Sequence, residues 1–319
     1  MRVPLAALCA ALTIAFAGCG DDSADAPDGG RPVTLALDFQ PNAVHAGIYA
    51  AAERGIDREH GIDLRVRVPA SSTDSLKLLA AGRADVAIVD IHDLGLASER
   101  GADVVGIGAL VQRPLAAIIA QREILRPRQL EGRRVGVTGL PSDEAVLRAA
   151  VEADGGDYDA VRPTTIGFSA VPSLAAGRVD AVVTFWNAEG VALRRQGVPT
   201  RQFRVDDYGA PRYPELVVAT TTEQLADDSH LLEDTIGALA EGTEAALADR
   251  PRTVSEIVEA SDSNRELVAA QLTAVAPALL PPLALDTDAL TGWAEFDAEF
   301  GILESEPDVG ALFPIDFTR

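Results

Sequence analysis

The sequence predicts an α/β protein of two lobes, each a parallel-rich sheet flanked by helices, with a cleft between them. Three observations carry that expectation. From Val33 onward short apolar strands alternate with helical patterns, which is how βαβ units read in sequence. The ten residues "AAGRADVAIV" at 80–89 align without a gap to "AAGRVDAVVT" at 175–184, so the chain repeats part of itself. Two apolar segments, "LVQRPLAAIIA" and "RYPELVVATT", flank the second copy and suit extended crossings between lobes. At 319 residues, 47% hydrophobic and 24% charged, the chain is long and apolar enough for one large domain or two medium ones.

The elements follow in order. "MRVPLAALCAALTIAFAGC" sets Arg2 ahead of an apolar run and small residues ahead of Cys19. That is the layout of a secretory signal, and the run is too short for a stable membrane span. "FAGC" resembles the lipobox of bacterial lipoproteins; the plainer alternative is an ordinary signal in which Cys19 is incidental. The expectation is therefore a signal peptide at 1–18, a lipidated Cys19, and a polar tether over 19–31, where "GDDSADAPDGGRP" has no core-forming residues. Cys9 falls in the discarded run, so no internal disulfide and no thiolate for metal or catalysis is expected. A formal charge of −22 argues against a nucleic-acid partner, whose phosphates it would repel.

"VTLALDF" reads as a buried strand and "AVHAGIYAAAERG" as the helix after it. In "IDLRVRVPA", Ile62, Leu64, Val66 and Val68 alternate with polar residues, as in a half-buried strand. Helical "DSLKLLAAG", strand "DVAIV", helical "DLGLASERG" and strand "DVVGIGAL" complete the first set, with Gly55, Gly82 and Gly101 as helix stops. "RVGVTGLPSDEAVLRAAVEADGG" then repeats the strand–loop–helix layout. Lobe one is expected at 32–112 plus 218–319, and lobe two at 113–217. From Thr222 the pattern is mostly helical, interrupted by the three prolines of "PALLPPLALD", which reads as loop.

Ligands of open parallel sheets bind beyond the carboxyl ends of the strands. Two facing lobes would pool the loops at 38–45, 90–93, 138–143 and 184–189. "GLPSD" at 139–143 lacks the lysine and second glycine of a P-loop, but can aim backbone N–H groups of a helix start at a polar ligand atom. His60, His92 and His230 lie far apart without metal-ligand spacing, so neither metal nor cofactor is expected.

The stretch "DFQPNAVHAGIYAAAERG" resembles the "D-W-x-P-N-x-x-H-x-G-x-Y-x-A-x-x-x-G" opening of the Thi5/NMT1-like family, and is most similar to its thiamine-precursor-binding branch. The likeness continues through "LLAAGRADVAIVD", "RPLAAIIA" and "FWNAEG", and departs at Phe39, where tryptophan is common, and at Gln40. The resemblance implies a two-lobed type II periplasmic-binding-protein fold. It implies a lipoprotein on the extracytoplasmic or periplasmic face of the cell membrane, not an enzyme, handing a pyrimidine such as formylaminopyrimidine to an ABC permease and ATPase. A riboflavin-binding component is the alternative ligand class. A pyrimidine synthase, in which a protein histidine is consumed with iron and a cysteine-rich segment, is the alternative of another kind. The export signal and the lack of that segment count against it.

The candidate ligand-binding residues are Asp38, Phe39, Asn42, His45, Tyr49, Asp90, Ser142, Trp186, Asn187 and Glu189. Carboxylates at Asp38 or Glu189 can accept amino hydrogens, Asn42 can donate and accept, and Phe39 and Trp186 offer rings for stacking. Each has a rival explanation: Asn42 serves equally as a helix cap, Trp186 as core, and Tyr49 as packing with its hydroxyl at the cleft edge. Alkanesulfonate or nitrate would call for arginines or bare helix N-termini rather than these carboxylates.

Overall fold

The computed structural model describes residues 29–71 and 74–314. The expected signal, most of the tether and Cys19 lie outside the described residues. Among the described residues, ten strands form two five-stranded sheets. β1 (Arg31–Ala36), β2 (Ile62–Arg67), β3 (Val86–Asp90) and β4 (Val105–Val111) precede β5 (Ala116–Gln121), β6 (Arg134–Val137), β7 (Arg162–Thr165), β8 (Ala181–Phe185), β9 (Thr200–Arg204) and β10 (Leu216–Thr220).

The first sheet runs β2-β1-β3-β10-β4 and the second β7-β6-β8-β5-β9. The order is the same in both, with β6 to β9 standing where β1 to β4 stand. In each, three parallel strands are followed by one antiparallel strand, β10 in the first and β5 in the second. Those two antiparallel strands are the ones reached by the crossings, at 112–115 and 205–215, so each sheet carries a strand that has arrived from the other lobe. The ten-residue repeat read from sequence falls on β3 and β8, in equivalent places.

Helices cover the sheets: α1 (Ala46–Arg54), α2 (Ile56–Glu59), α3 (Asp74–Ala80) and α4 (Ile91–Glu99) in the first lobe; α5 (Pro141–Ala153), α6 (Ala170–Ala175) and α7 (Glu189–Arg195) in the second. After β10 come α8 (Thr222–Asp227), α9 (Ser229–Ala248), α10 (Arg250–Ser261), α11 (Arg265–Val275), α12 (Thr287–Glu299) and α13 (Val309–Leu312). Gly55 ends α1 at φ +78, a conformation that favours glycine. α9 lies against α1 through two glycines: a Cβ on Gly242 would collide with the Gly47 carbonyl oxygen, and one on Gly47 with Thr243 Oγ1. Close approach, rather than side-chain volume, makes that contact.

Four details differ from the sequence reading: β1 begins at Arg31, inside the expected tether, β10 joins the first sheet from Leu216, ahead of the expected return at 218, and two segments differ as follows. The alternation in β2 does not reach Val68, which is 46% exposed because β2 is the edge strand and ends at Arg67. "PALLPPLALD" is not entirely loop: it starts within a 3₁₀ turn at Ala276–Leu279, and Leu283 pairs with Ala109 beside β4.

Candidate functional site

A cavity of about 300 Å³ lies between the lobes at the carboxyl ends of β1, β3, β6 and β8. All four loops expected from sequence contribute to its wall. Asp38, Phe39, Asn42, Asp90, Ser142 and Glu189 line it; His45, Tyr49, Trp186 and Asn187 do not.

The first loop is built around a histidine behind the wall. Asn42 has extended backbone and caps a 3₁₀ turn, its Oδ1 accepting from the Val44 N–H at 3.0 Å. Its Nδ2 donates to the Gln40 carbonyl at 3.0 Å, so both ends of the amide are engaged within the loop. His45 is fully buried, and its Nδ1 accepts the Asn42 N–H at 3.2 Å. That acceptor role puts the ring proton on Nε2, which lies 2.8 Å from Asp38 Oδ1 and donates to it. Both imidazole nitrogens are thereby engaged with protein atoms. His45 aims Asp38 into the cavity; it does not itself reach the lining. Tyr49 packs in the core, where burial, and then the nearby Glu53 charge, pushes its hydroxyl up to about 12.

The wall is rich in acid. Besides Asp38, Asp90 and Glu189 it includes Asp93, Asp143 and Glu215, with Lys77 and Arg100 also present. Asp90 caps α4 through the His92 N–H at 2.8 Å. Burial pushes its carboxyl up to about 7, with the His92 charge opposing and Glu215 adding to the rise. Asp93 is pushed up by burial and by the like charges of Asp90 and Asp143. Burial also raises Asp143, although Thr138 Oγ1 at 2.6 Å and the Gly139 and Leu140 N–H groups donate to it. Glu189, at the start of α7, is raised by burial while Thr184 holds it, and the Asp38 charge adds to the rise from the opposite lobe. Beneath these acids, burial opposes the charge of His92, yet Asp297 at 2.7 Å, with Asp90 and Glu215, holds its pKa up to about 10. The cavity is suited to a ligand that presents hydrogen-bond donors or positive charge.

The rings on the wall are phenylalanines. Phe39 meets Phe168 of the other lobe edge-on, with centroids 4.2 Å apart, and Phe185 lies on the second lobe's side. A second contact also spans the cleft: Ser142 Oγ, near the start of α5, donates to Asp93 Oδ1 at 3.1 Å. The expectation that Trp186 offers a stacking ring is corrected. Its indole N–H donates to the Pro114 carbonyl at 3.1 Å and the Arg204 guanidinium covers its face at 4.4 Å, so the ring is committed to the first crossing and the end of β9. Asn187 is fully buried off the wall, its amide atoms without partners among the described residues.

Sequence reasoning missed Asp93, Asp143, Glu215, Phe168 and Phe185. Asp93 and Asp143 each end a loop that the strand pattern already places at the cleft. Phe185 is the last residue of β8 and could have been found the same way. Phe168 follows β7, whose polar "RPTT" gives no strand signal, and Glu215 reads only as the flank of an apolar run. Among the described residues no three His, Cys, Asp or Glu side chains are arranged to hold a metal ion.

Comparison with known proteins adds to this geometry. The family model described as NMT1/THI5 like matches residues 42–253. The chain is 35% identical over 225 residues to the formylaminopyrimidine-binding protein of Halalkalibacterium halodurans, covering 69% of this chain and 68% of that one. It is 24% identical over 245 residues to a 4-amino-5-hydroxymethyl-2-methylpyrimidine phosphate synthase of Saccharomyces cerevisiae, covering 71% and 70%. Among solved structures, the alkanesulfonate-binding protein SsuA from Xanthomonas axonopodis pv. citri superposes with a TM-score of 0.71 at 17% identity, over 89% of this chain and 99% of that one. The architecture is that of the periplasmic binding proteins.

Proposed function

The chain belongs to the NMT1/THI5-like family, and from that premise we propose that it is the extracytoplasmic substrate-binding component of an ABC importer whose ligand is a thiamine-precursor aminopyrimidine. One observation carries the ligand class: six carboxylates, Asp38, Asp90, Asp93, Asp143, Glu189 and Glu215, share one small cavity with the rings of Phe39, Phe168 and Phe185. A flat heterocycle bearing amino groups offers donors to the acids and faces to the rings. The named ligand of the Halalkalibacterium relative is of that kind. The SsuA likeness extends to the fold alone, and a sulfonate in this cavity would face repulsion from its acids. At about 300 Å³ the cavity is at the small end of ligand pockets, which favours a single ring with short substituents over a flavin and its ribityl chain. Binding without chemistry is supported by His45, whose two nitrogens are held by Asn42 and Asp38.

Titration calorimetry with 4-amino-2-methylpyrimidines, their counterparts lacking the amino group, and riboflavin tests this reading. The aminopyrimidine is expected to bind tightest, and removal of the amino group to weaken binding by roughly tenfold or more. Equal affinity for the amino and des-amino compounds contradicts it, and tighter binding of riboflavin would transfer the protein to the flavin class. The proposed location is the outer face of the cell membrane, held through lipidated Cys19. Membrane fractionation of Cys19→Ser should find the protein released; continued attachment would sink the anchor.

A further inference from the structure

Glu215 lies one residue before β10, where the second crossing enters the first sheet. Its N–H donates to the Val111 carbonyl at 3.0 Å and its carbonyl accepts from the Ile91 N–H at 3.1 Å, so its backbone is fixed. The residue is fully buried and lines the cavity. Its Oε2 accepts the Leu115 N–H at 2.7 Å, from the other crossing. Its Oε1 is buried and has no hydrogen-bond partner among the described residues. A buried carboxylate oxygen without a donor is costly, and native structures rarely retain one without a purpose. Among the described residues, none of the other acids of the wall, Asp38, Asp90, Asp93, Asp143 and Glu189, has a buried carboxylate oxygen left without a partner.

We propose that Glu215 is a further ligand-binding residue, whose Oε1 accepts an N–H of the bound heterocycle while Oε2 keeps hold of the crossing between the lobes. This role rests on the aminopyrimidine reading above and adds a specific acceptor to it. A single carboxylate then joins three things: the ligand, the first crossing at Leu115 and the second crossing through its own backbone. A donor arriving on Oε1 stabilises the ionised form and the orientation that ties the crossings together, so the amino group is read at the point about which the lobes would move.

The test is a cycle of two ligands on two proteins, by titration calorimetry with 4-amino-2-methylpyrimidine and 2-methylpyrimidine. Glu215→Gln retains a carbonyl for the Leu115 N–H but presents an amide donor to the cavity. It is expected to lose roughly ten- to hundredfold in affinity for the amino compound and little for the des-amino compound, so that discrimination between them falls at least about tenfold. A residue serving structure alone would lower the melting temperature and leave that discrimination intact, and this result overturns the proposal while the functional reading stands. Wild-type protein that does not favour the amino compound overturns both. If Glu215→Gln does not fold, Glu215→Asp, which keeps the charge and withdraws it by one methylene, takes its place: lost discrimination supports the role, and retained discrimination overturns it.

Discussion

Asp90 and Glu215 stand on the cavity wall with carboxyls that burial has pushed up to about 7. For Glu215 the His92 charge and the Leu115 and Ala116 N–H groups pull the other way, and Asp206 adds to the rise; Tyr213 also feels its charge. A carboxyl raised in the folded state adds stability that is fully present below its unfolded value, near 4, and lost as pH rises through 7. A ligand donating N–H groups has the opposite preference, because it favours the ionised acids. The thermal stabilisation given by a saturating aminopyrimidine should therefore be larger at about pH 8 than at about pH 5.5, and the difference should shrink in Glu215→Gln. Scanning fluorimetry across that range on both proteins with the same ligand measures it; a pH dependence that Glu215→Gln leaves unchanged would show that this acid does not receive the ligand's donors. The same scale shows why some residues are legible in sequence and others not. Asp38 announces itself by its place at a strand end. The partner that aims it, His45, reads equally as a positioning residue and as a ligand contact, because sequence does not reveal which side of a wall a ring occupies; the structure gives it the positioning role. Trp186 misleads for the same reason: next to a strand end it could face either way, and Arg204 and Pro114 hold it on the far side.

At the scale of elements, periodicity is sufficient for most of the fold. β3 and β8 are visible as one repeated decapeptide because each is a buried strand entered from a helix through Gly–Arg–X–Asp, and burial on both faces demands the same apolar run. The antiparallel placement of β5 and β10 is not legible, since an apolar crossing segment carries no mark of strand direction or of which strands it will separate. β7 is hidden altogether: an exposed edge strand of "RPTT" needs no apolar pattern, and with it goes Phe168, the ring that closes on Phe39. The approach of α9 to α1 through Gly47 and Gly242 is likewise silent in sequence, because a glycine inside a helical pattern reads as weakness until its neighbour is known.

Across the whole molecule, the two lobes meet across the cleft through Phe39 and Phe168 and through the buried pair Asp93 and Ser142. They are joined behind it by Glu215 with Leu115 and by Arg113 with Asp206 at 2.7 Å. α11 also ties to the second lobe, Gln271 Nε2 donating to the carbonyl of Ala188, which lines the cavity, at 3.3 Å. Among the described residues no helix is long and apolar enough to cross a membrane. A ligand held in this cavity is covered by both lobes, in an environment of acids and phenyl rings with the one histidine of the opening loop already engaged. The most direct measurement is mass spectrometry of the small molecule released when the purified, ligand-saturated protein is denatured, together with the peptide mass at His45. An unmodified amino-bearing pyrimidine, with His45 intact, is the predicted result. A flavin, a sulfonate, or loss of mass at His45 in the presence of iron would contradict it.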